Sequence, residues 1–255
     1  MARKLKKDND YFKSIDNEYK AYLLGFIYAD GSIYDGRTVD RPNRQLRLSI
    51  YCSSEDDYIF DKFLNDNQDV FKSISIRNRS INEKPISIVR ITSNTLCKNL
   101  IGYGCNINKS KVGMKFPILE PYLYPHFIRG FLDGDGSIIH DSYKYNYKRI
   151  SNYNLKKIPK MYKDRIRIAF TSTDIIFLKE IAMQLNIINY KIRSNSRKTC
   201  YTLWIENNQI VKQTLLYLYN DSNYYLKRKV QKIINYYKAI SSEAMDTFIE
   251  RSTTT

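Results

Sequence analysis

The chain has 255 residues, 43% of them hydrophobic, which suffices for one large or two modest cores; no apolar run approaches membrane-spanning length. Lys and Arg number 42 against 26 Asp and Glu, and the resulting formal charge of +16 is spread along the sequence, which points to a polyanionic partner, most often nucleic acid. Only two histidines, His126 and His140, and four cysteines without Cys-x-x-Cys spacing exclude zinc fingers, histidine-rich nuclease centres and a Ser-His-Asp arrangement.

Residues 1–18 form a basic segment with no apolar stretch behind it, so it is not read as a secretory signal. With the cysteines read as reduced thiols, an intracellular protein is expected, in a bacterial or phage cytoplasm or an organelle. The first predicted helix ends in Leu23-Leu24-Gly25-Phe26-Ile27-Tyr28-Ala29-Asp30, stopped by Gly31. Gln45 to Tyr51 alternates as a half-buried strand, and Ser53-Ser54-Glu55-Asp56-Asp57 starts a helix running to about Leu64. Ser73 to Arg77 and Ile86 to Ile91 alternate again, and a helix from Ser93 is expected to stop at Gly102. Three prolines between Phe116 and Pro125 predict a stiff extended connector.

The same order then recurs. A helix opened by His126 carries Ile128-Arg129-Gly130-Phe131-Leu132-Asp133-Gly134-Asp135 and ends at Gly136. Arg165 to Phe170 alternates, and Thr171-Ser172-Thr173-Asp174 starts a helix reaching Leu185. Tyr190 to Arg193 and Tyr201 to Ile205 read as strands, and Gln209 to Tyr219 and Tyr224 to about Tyr237 as helices. About 15 additional residues within Ser142 to Lys163 read as a strand extension and a basic loop laid along phosphates. The predicted units are therefore 19–116, a connector 117–125, 126–240 and a tail 241–255.

The two helix ends share Gly-Phe and a terminal Asp-Gly-Ser-Ile, with the second Asp 105 positions after the first. A carboxylate at a helix C-terminus opposes the helix dipole by roughly 0.3–1 kcal/mol, so the repeat of this placement calls for a reason. Gly25 and Ala29, like Gly130 and Gly134, lie four apart on one helix face, where small residues let two backbones nearly touch. If these faces pair, Asp30 and Asp135 meet, and two close carboxylates repel unless a cation lies between them. Oxygen ligands with retained waters suit Mg²⁺, other divalent ions being possible. On the strands, Arg37, Arg44, Gln45, Arg47, Arg77, Arg79, Arg90, Lys144, Lys148, Arg165, Arg167, Arg193 and Arg197 are candidates for DNA contact, as base readers or phosphate clamps.

The paired Gly-Phe-(Ile/Leu)-x-(Ala/Gly)-Asp-Gly-Ser-Ile resembles the LAGLIDADG homing endonucleases in their single-chain, two-repeat form, over roughly Tyr19 to Tyr237. The resemblance implies an α+β fold: two αββαββα repeats related by a pseudo-twofold axis, with motif helices at the interface and two antiparallel DNA-binding sheets. It implies a monomer that makes metal-dependent double-strand breaks at a long target in double-stranded DNA, as an intron- or mobile-element-encoded enzyme. By position, Asp30 and Asp135 match the catalytic metal-binding acids, and Ala29 and Gly134 match residues whose carbonyls help hold metal. Lys109 or Lys111, and Lys227 or Lys229, match a basic residue near the site. Tyr28 departs from the pattern, standing where the second copy has the acid Asp133. The same fold also hosts RNA-binding maturases that assist splicing of a host intron, and that reading stays open.

Overall fold

A computed structural model describes residues 9–67, 70–75, 84–145, 161–188, 190–197 and 199–240. The first helix, α1 (Glu18–Asp30), is opened by Asn17, whose side chain accepts from the Lys20 N–H, and Glu18 sits in its first turn. It is buried on every side from Ala21 to Ala29, which suits a helix lying between two sheets. There follow β1 (Gly31–Tyr34), β2 (Arg47–Ser53), a 3-10 turn (Ser54–Phe60), α2 (Asp61–Asp66), β3 (Phe71–Ser75), β4 (Ile86–Thr92), α3 (Asn94–Tyr103) and the short α4 (Lys109–Val112). The second half runs α5 (Tyr124–Asp135), β5 (Gly136–Tyr145), β6 (Met161–Ser172), α6 (Ile175–Gln184), β7 (Lys191–Ser194), β8 (Tyr201–Ile205), α7 (Asn208–Tyr219) and α8 (Lys227–Ile240).

The sheets are antiparallel and follow one permutation, β1-β2-β4-β3 and β5-β6-β8-β7. In each, the glycine after the motif Asp opens the first strand; Gly31 pairs with Ile50 and Gly136 with Phe170. The fold is therefore α+β, with two repeats arranged about the α1–α5 pair. Strand alternation sends Leu48, Ile50 and Ile33 inward on one sheet and Ile166, Ile168 and Phe170 inward on the other, all buried.

Several boundaries differ from expectation. The segment after Ser53 begins as a 3-10 turn, its acids Asp56 and Asp57 drawn away to Arg228, Ser87 and Lys72. Helix α3 passes through Gly102, beside which a Cβ would meet nothing within 4 Å, and stops at Gly104. There φ is +110° and the Lys115 carbonyl fills the space a side chain would need, so only glycine fits. The end of the proline connector is wound, not extended: Pro121–Leu123 is a 3-10 turn, and α5 starts at Tyr124 with Pro125 in its first turn, where its missing N–H is not required. Helix α8 starts at Lys227, not Tyr224, because the Leu226 and Lys227 N–H groups are bound by Asp133 and Tyr58. The expected strand extension is present up to Tyr145 and from Met161, while the basic loop between them, with Lys148, lies outside the described residues, as do Arg77 and Arg79.

Candidate active site

The motif helices cross at their glycines. A Cβ on Gly25 would strike the Phe127 carbonyl oxygen, and one on Gly130 the Tyr22 carbonyl oxygen; Gly134 faces the Ala29 methyl in the same way. This approach carries the last turns together, where Asp30 Oδ2 comes within 3.2 Å of a Cβ position on Gly134. Burial lifts the Asp30 carboxyl to about 6, with repulsion from Asp135 the second cause. Burial also raises Asp135, against the pull of Lys109 and Lys229. Among the described residues, neither carboxylate receives a hydrogen bond.

Two ammonium groups resolve the dipole conflict at these helix ends. Lys109 Nζ donates to the carbonyls of Ile27 (3.0 Å), Tyr28 and Ala29 (2.5 Å), the last acceptors of α1. Lys229 Nζ donates to the carbonyls of Leu132, Asp133 (2.8 Å) and Gly136 (2.8 Å) at the end of α5. Cations at helix C-termini are favoured, so each lysine offsets what its neighbouring Asp costs. Of the two lysine pairs, Lys109 and Lys229 reach the site. Lys111 is exposed, and Lys227 is exposed with its ammonium 5.0 Å from the Tyr58 ring centre. Burial pushes Lys229 down to about 8 and lowers Lys109 as well.

Tyr28 and Asp133 occupy matching motif positions and fill matching roles with different chemistry. Asp133 accepts from the Tyr22 hydroxyl (2.9 Å), the Tyr219 hydroxyl (3.2 Å) and the Leu226 N–H (2.8 Å) just before α8. The Tyr28 hydroxyl donates to the Tyr103 (2.6 Å) and Lys115 (3.1 Å) carbonyls flanking α4. Each thus ties its motif helix to the segment that carries the lysine.

The chemistry of the acid pair fits a hard divalent ion: two close carboxyl groups, Asp30 half-buried and Asp135 open to solvent, without protein donors among the described residues. Among the described residues no three His, Cys, Asp or Glu side chains converge, so backbone carbonyls, water or substrate oxygens would complete any coordination shell. The Ala29 carbonyl already accepts from Lys109, which leaves one lone pair for such a role. A cavity of about 400 Å³ opens beside Asp30, lined by Tyr51, Cys52, Ser53, Lys84, Pro85 and Ile86.

No protein-family model matches the chain, and no curated protein matches it. Among solved structures, the LAGLIDADG meganuclease I-AabMI bound to uncleaved DNA superposes with a TM-score of 0.57, covering 94% of both chains at 13% identity. The fold is that of the LAGLIDADG homing endonucleases. I-CpaMI, bound to uncleaved DNA, superposes at 0.56 over 93% of this chain and 99% of its own, at 10% identity. I-SmaMI, bound to uncleaveable DNA, does so at 0.55 over 86% and 87%, at 14% identity.

On this LAGLIDADG framework the outward sheet faces carry the remaining candidates. In the first sheet Arg47 lies over the Tyr34 ring (5.2 Å) and Arg90 donates to the Ser73 hydroxyl (3.2 Å); Arg44 and Gln45 are exposed before β2. Arg37 is held by Asp35 through paired bonds of 2.8 and 2.5 Å. In the second sheet Arg165 and Arg167 share Asp141, and Arg167 and Arg193 flank Trp204 at 5.2 and 5.5 Å while both approach Glu206. Arg197 is exposed in the β7–β8 turn, and Lys144 lies on β5. Sequence reasoning missed Asp141, Glu206 and Trp204, whose roles depend on cross-strand register, and Lys84 and Ser53 beside Asp30.

Proposed function

We propose that the chain is a site-specific DNA endonuclease that makes double-strand breaks at a long target, a homing endonuclease acting as a monomer with Mg²⁺. The observation that carries this reading is the meeting of Asp30 and Asp135, both raised by desolvation and Asp30 also by its neighbour's charge, at the ends of two glycine-crossed helices between two arginine-bearing sheets. The uncleaved or uncleaveable DNA held by I-AabMI, I-CpaMI and I-SmaMI supports double-stranded DNA as the ligand.

The Asp30 and Asp135 carboxylates would hold a divalent ion, which when bound would supply the charge for activating water and stabilising the leaving oxygen. The sheets bind and orient the duplex, so that a scissile phosphate from each strand faces the acids. Lys109 and Lys229, fixed by the helix carbonyls, hold positive charge where negative charge develops on phosphate.

The test is cleavage of a randomised double-stranded library in Mg²⁺, with cut ends sequenced and Asp30→Asn protein run alongside. One long preferred site with short 3′ overhangs, lost in the variant while DNA binding stays within a few fold, is the expected result. Full cutting by Asp30→Asn or Asp135→Asn would refute the assignment. No cutting by either protein, together with tight binding to a host intron RNA, would move the reading to a maturase.

A further inference from the structure

Each lysine-bearing segment is fastened by a side chain from the opposite half. Helix α4 spans only Lys109–Val112, flanked by Asn108 at φ 54° and Gly113 at φ 87°, and a single turn does not hold its own position. Within its own half, the Tyr28 hydroxyl donates to the Lys115 carbonyl (3.1 Å) and Asn106 Nδ2 to the Gly113 carbonyl (3.0 Å); from the second half, Asp174 adds a further hold. One carboxylate oxygen caps α6 through the Ile176 (2.9 Å) and Phe177 (3.2 Å) N–H groups; the other accepts the Met114 N–H (2.9 Å), just past α4. The same oxygen sits 2.7 Å from where a Gly113 Cβ would be.

The reverse contact comes from the first half. The Tyr58 hydroxyl, in the 3-10 turn, accepts the Lys227 N–H (2.7 Å) and donates to the Tyr225 carbonyl (3.2 Å). It therefore grips the chain on both sides of Leu226, whose own N–H is held by Asp133. Beside it Asp56 accepts from Arg228 Nε (2.7 Å). Both ammonium groups, Lys229 buried and Lys109 half-buried, are held by carbonyl acceptors at hydrogen-bonding distance, so a small shift of either segment withdraws its charge from the site.

We infer that Asp174 and Tyr58 are positioning residues that act across the two halves, Asp174 setting Lys109 and Tyr58 setting Lys229, so that each half governs the lysine of the other. The inference rests on the nuclease reading above for its consequence, and on geometry alone for the positioning itself.

Two conservative variants separate positioning from general stability. Asp174→Asn keeps a capping oxygen on α6, since Asn caps as well as Asp, but its single oxygen cannot also serve Met114. Tyr58→Phe keeps the ring beneath Lys227 and removes only the hydroxyl. On supercoiled plasmid carrying the site recovered from the library, each variant should bind as wild type does but accumulate nicked DNA. Cutting of one strand should slow about 10- to 100-fold, and the slow strand should be opposite in the two variants. Equal slowing of both strands, or no slowing, would overturn the inference. A second readout does not need cleavage: acylation of surface amines with acetic anhydride, mapped by mass spectrometry. Lys109 should label faster in Asp174→Asn with Lys229 unchanged, and the reverse should hold in Tyr58→Phe. If wild-type protein cuts no DNA, the nuclease reading fails and this labelling alone decides; the same labelling of both lysines in both variants sinks the positioning roles.

Discussion

Gly25 and Gly130 each occupy a point where the opposite helix's backbone carbonyl takes the place of a side chain. Alanine there would gain about 1 kcal/mol of helix propensity. The gain is outweighed, because the atoms it meets are main-chain atoms of Phe127 and Tyr22, which cannot rotate aside. Gly130→Ala is therefore expected to destabilise the protein by about 1–3 kcal/mol, the usual cost of forcing volume into a packed core. Urea melts would show it as a lower midpoint at unchanged slope, and a stabilised variant would mean that the helices part freely. The same substitution should weaken cleavage more than DNA binding, since it separates the two carboxylates and leaves the sheet faces intact.

At the scale of elements, the outward face of the second sheet couples its arginines to carboxylates. Arg167 lies between Asp141 (2.8 Å) and Glu206 (3.7 Å) and against Trp204, with its Nε buried and unbonded among the described residues. A guanidinium already neutralised by two acids releases few counterions on meeting phosphate, but it is held still for a bidentate contact with a base. Arg47 has no acidic partner among the described residues and lies only against a tyrosine ring. Arg167→Ala should thus relax discrimination at one or two adjacent base pairs by about 1–3 kcal/mol with little change in salt dependence. Arg47→Ala should weaken binding to all sequences and reduce the slope of log affinity against log salt by about one. Binding measured across salt concentrations and single-base target variants would decide, and matching profiles for the two variants would defeat the distinction.

At the scale of the molecule, local signals and tertiary ones part company. The repeat, the strand periods and the helix-ending Asp-Gly pairs are written in neighbouring residues, so α1, α5 and the paired sheets were legible. The identity of the inserted lysines was not. Lys109 opens a one-turn helix after a left-handed Asn108, whereas Lys229 lies two residues inside α8, so no common offset marks them. Arg129 was equally hidden: no neighbouring residue marks it, yet it is fully buried and joins the halves. It donates to the Tyr224 (2.7 Å) and Leu218 (2.5 Å) carbonyls, to Glu18 Oε1 at the start of α1 (2.8 Å) and to His126 Nδ1 (2.8 Å). Because arginine can only donate, His126 Nδ1 must accept, which requires a neutral ring. Burial first, and then the Arg129 charge, push His126 down to about 4. The sign of the pH effect follows. A folded-state value below the unfolded value of about 6.5 gives stability that is complete above pH 6.5 and is lost as pH falls towards 4. Wild-type protein should lose about 2 kcal/mol from this group across that window, through charging of a ring wedged against a guanidinium. His126→Gln retains an acceptor and cannot be charged, so its stability should stay flatter between pH 6.5 and 4 than that of wild type. Parallel pH profiles for the two proteins in thermal melts would show that the joint between the halves does not depend on a neutral histidine.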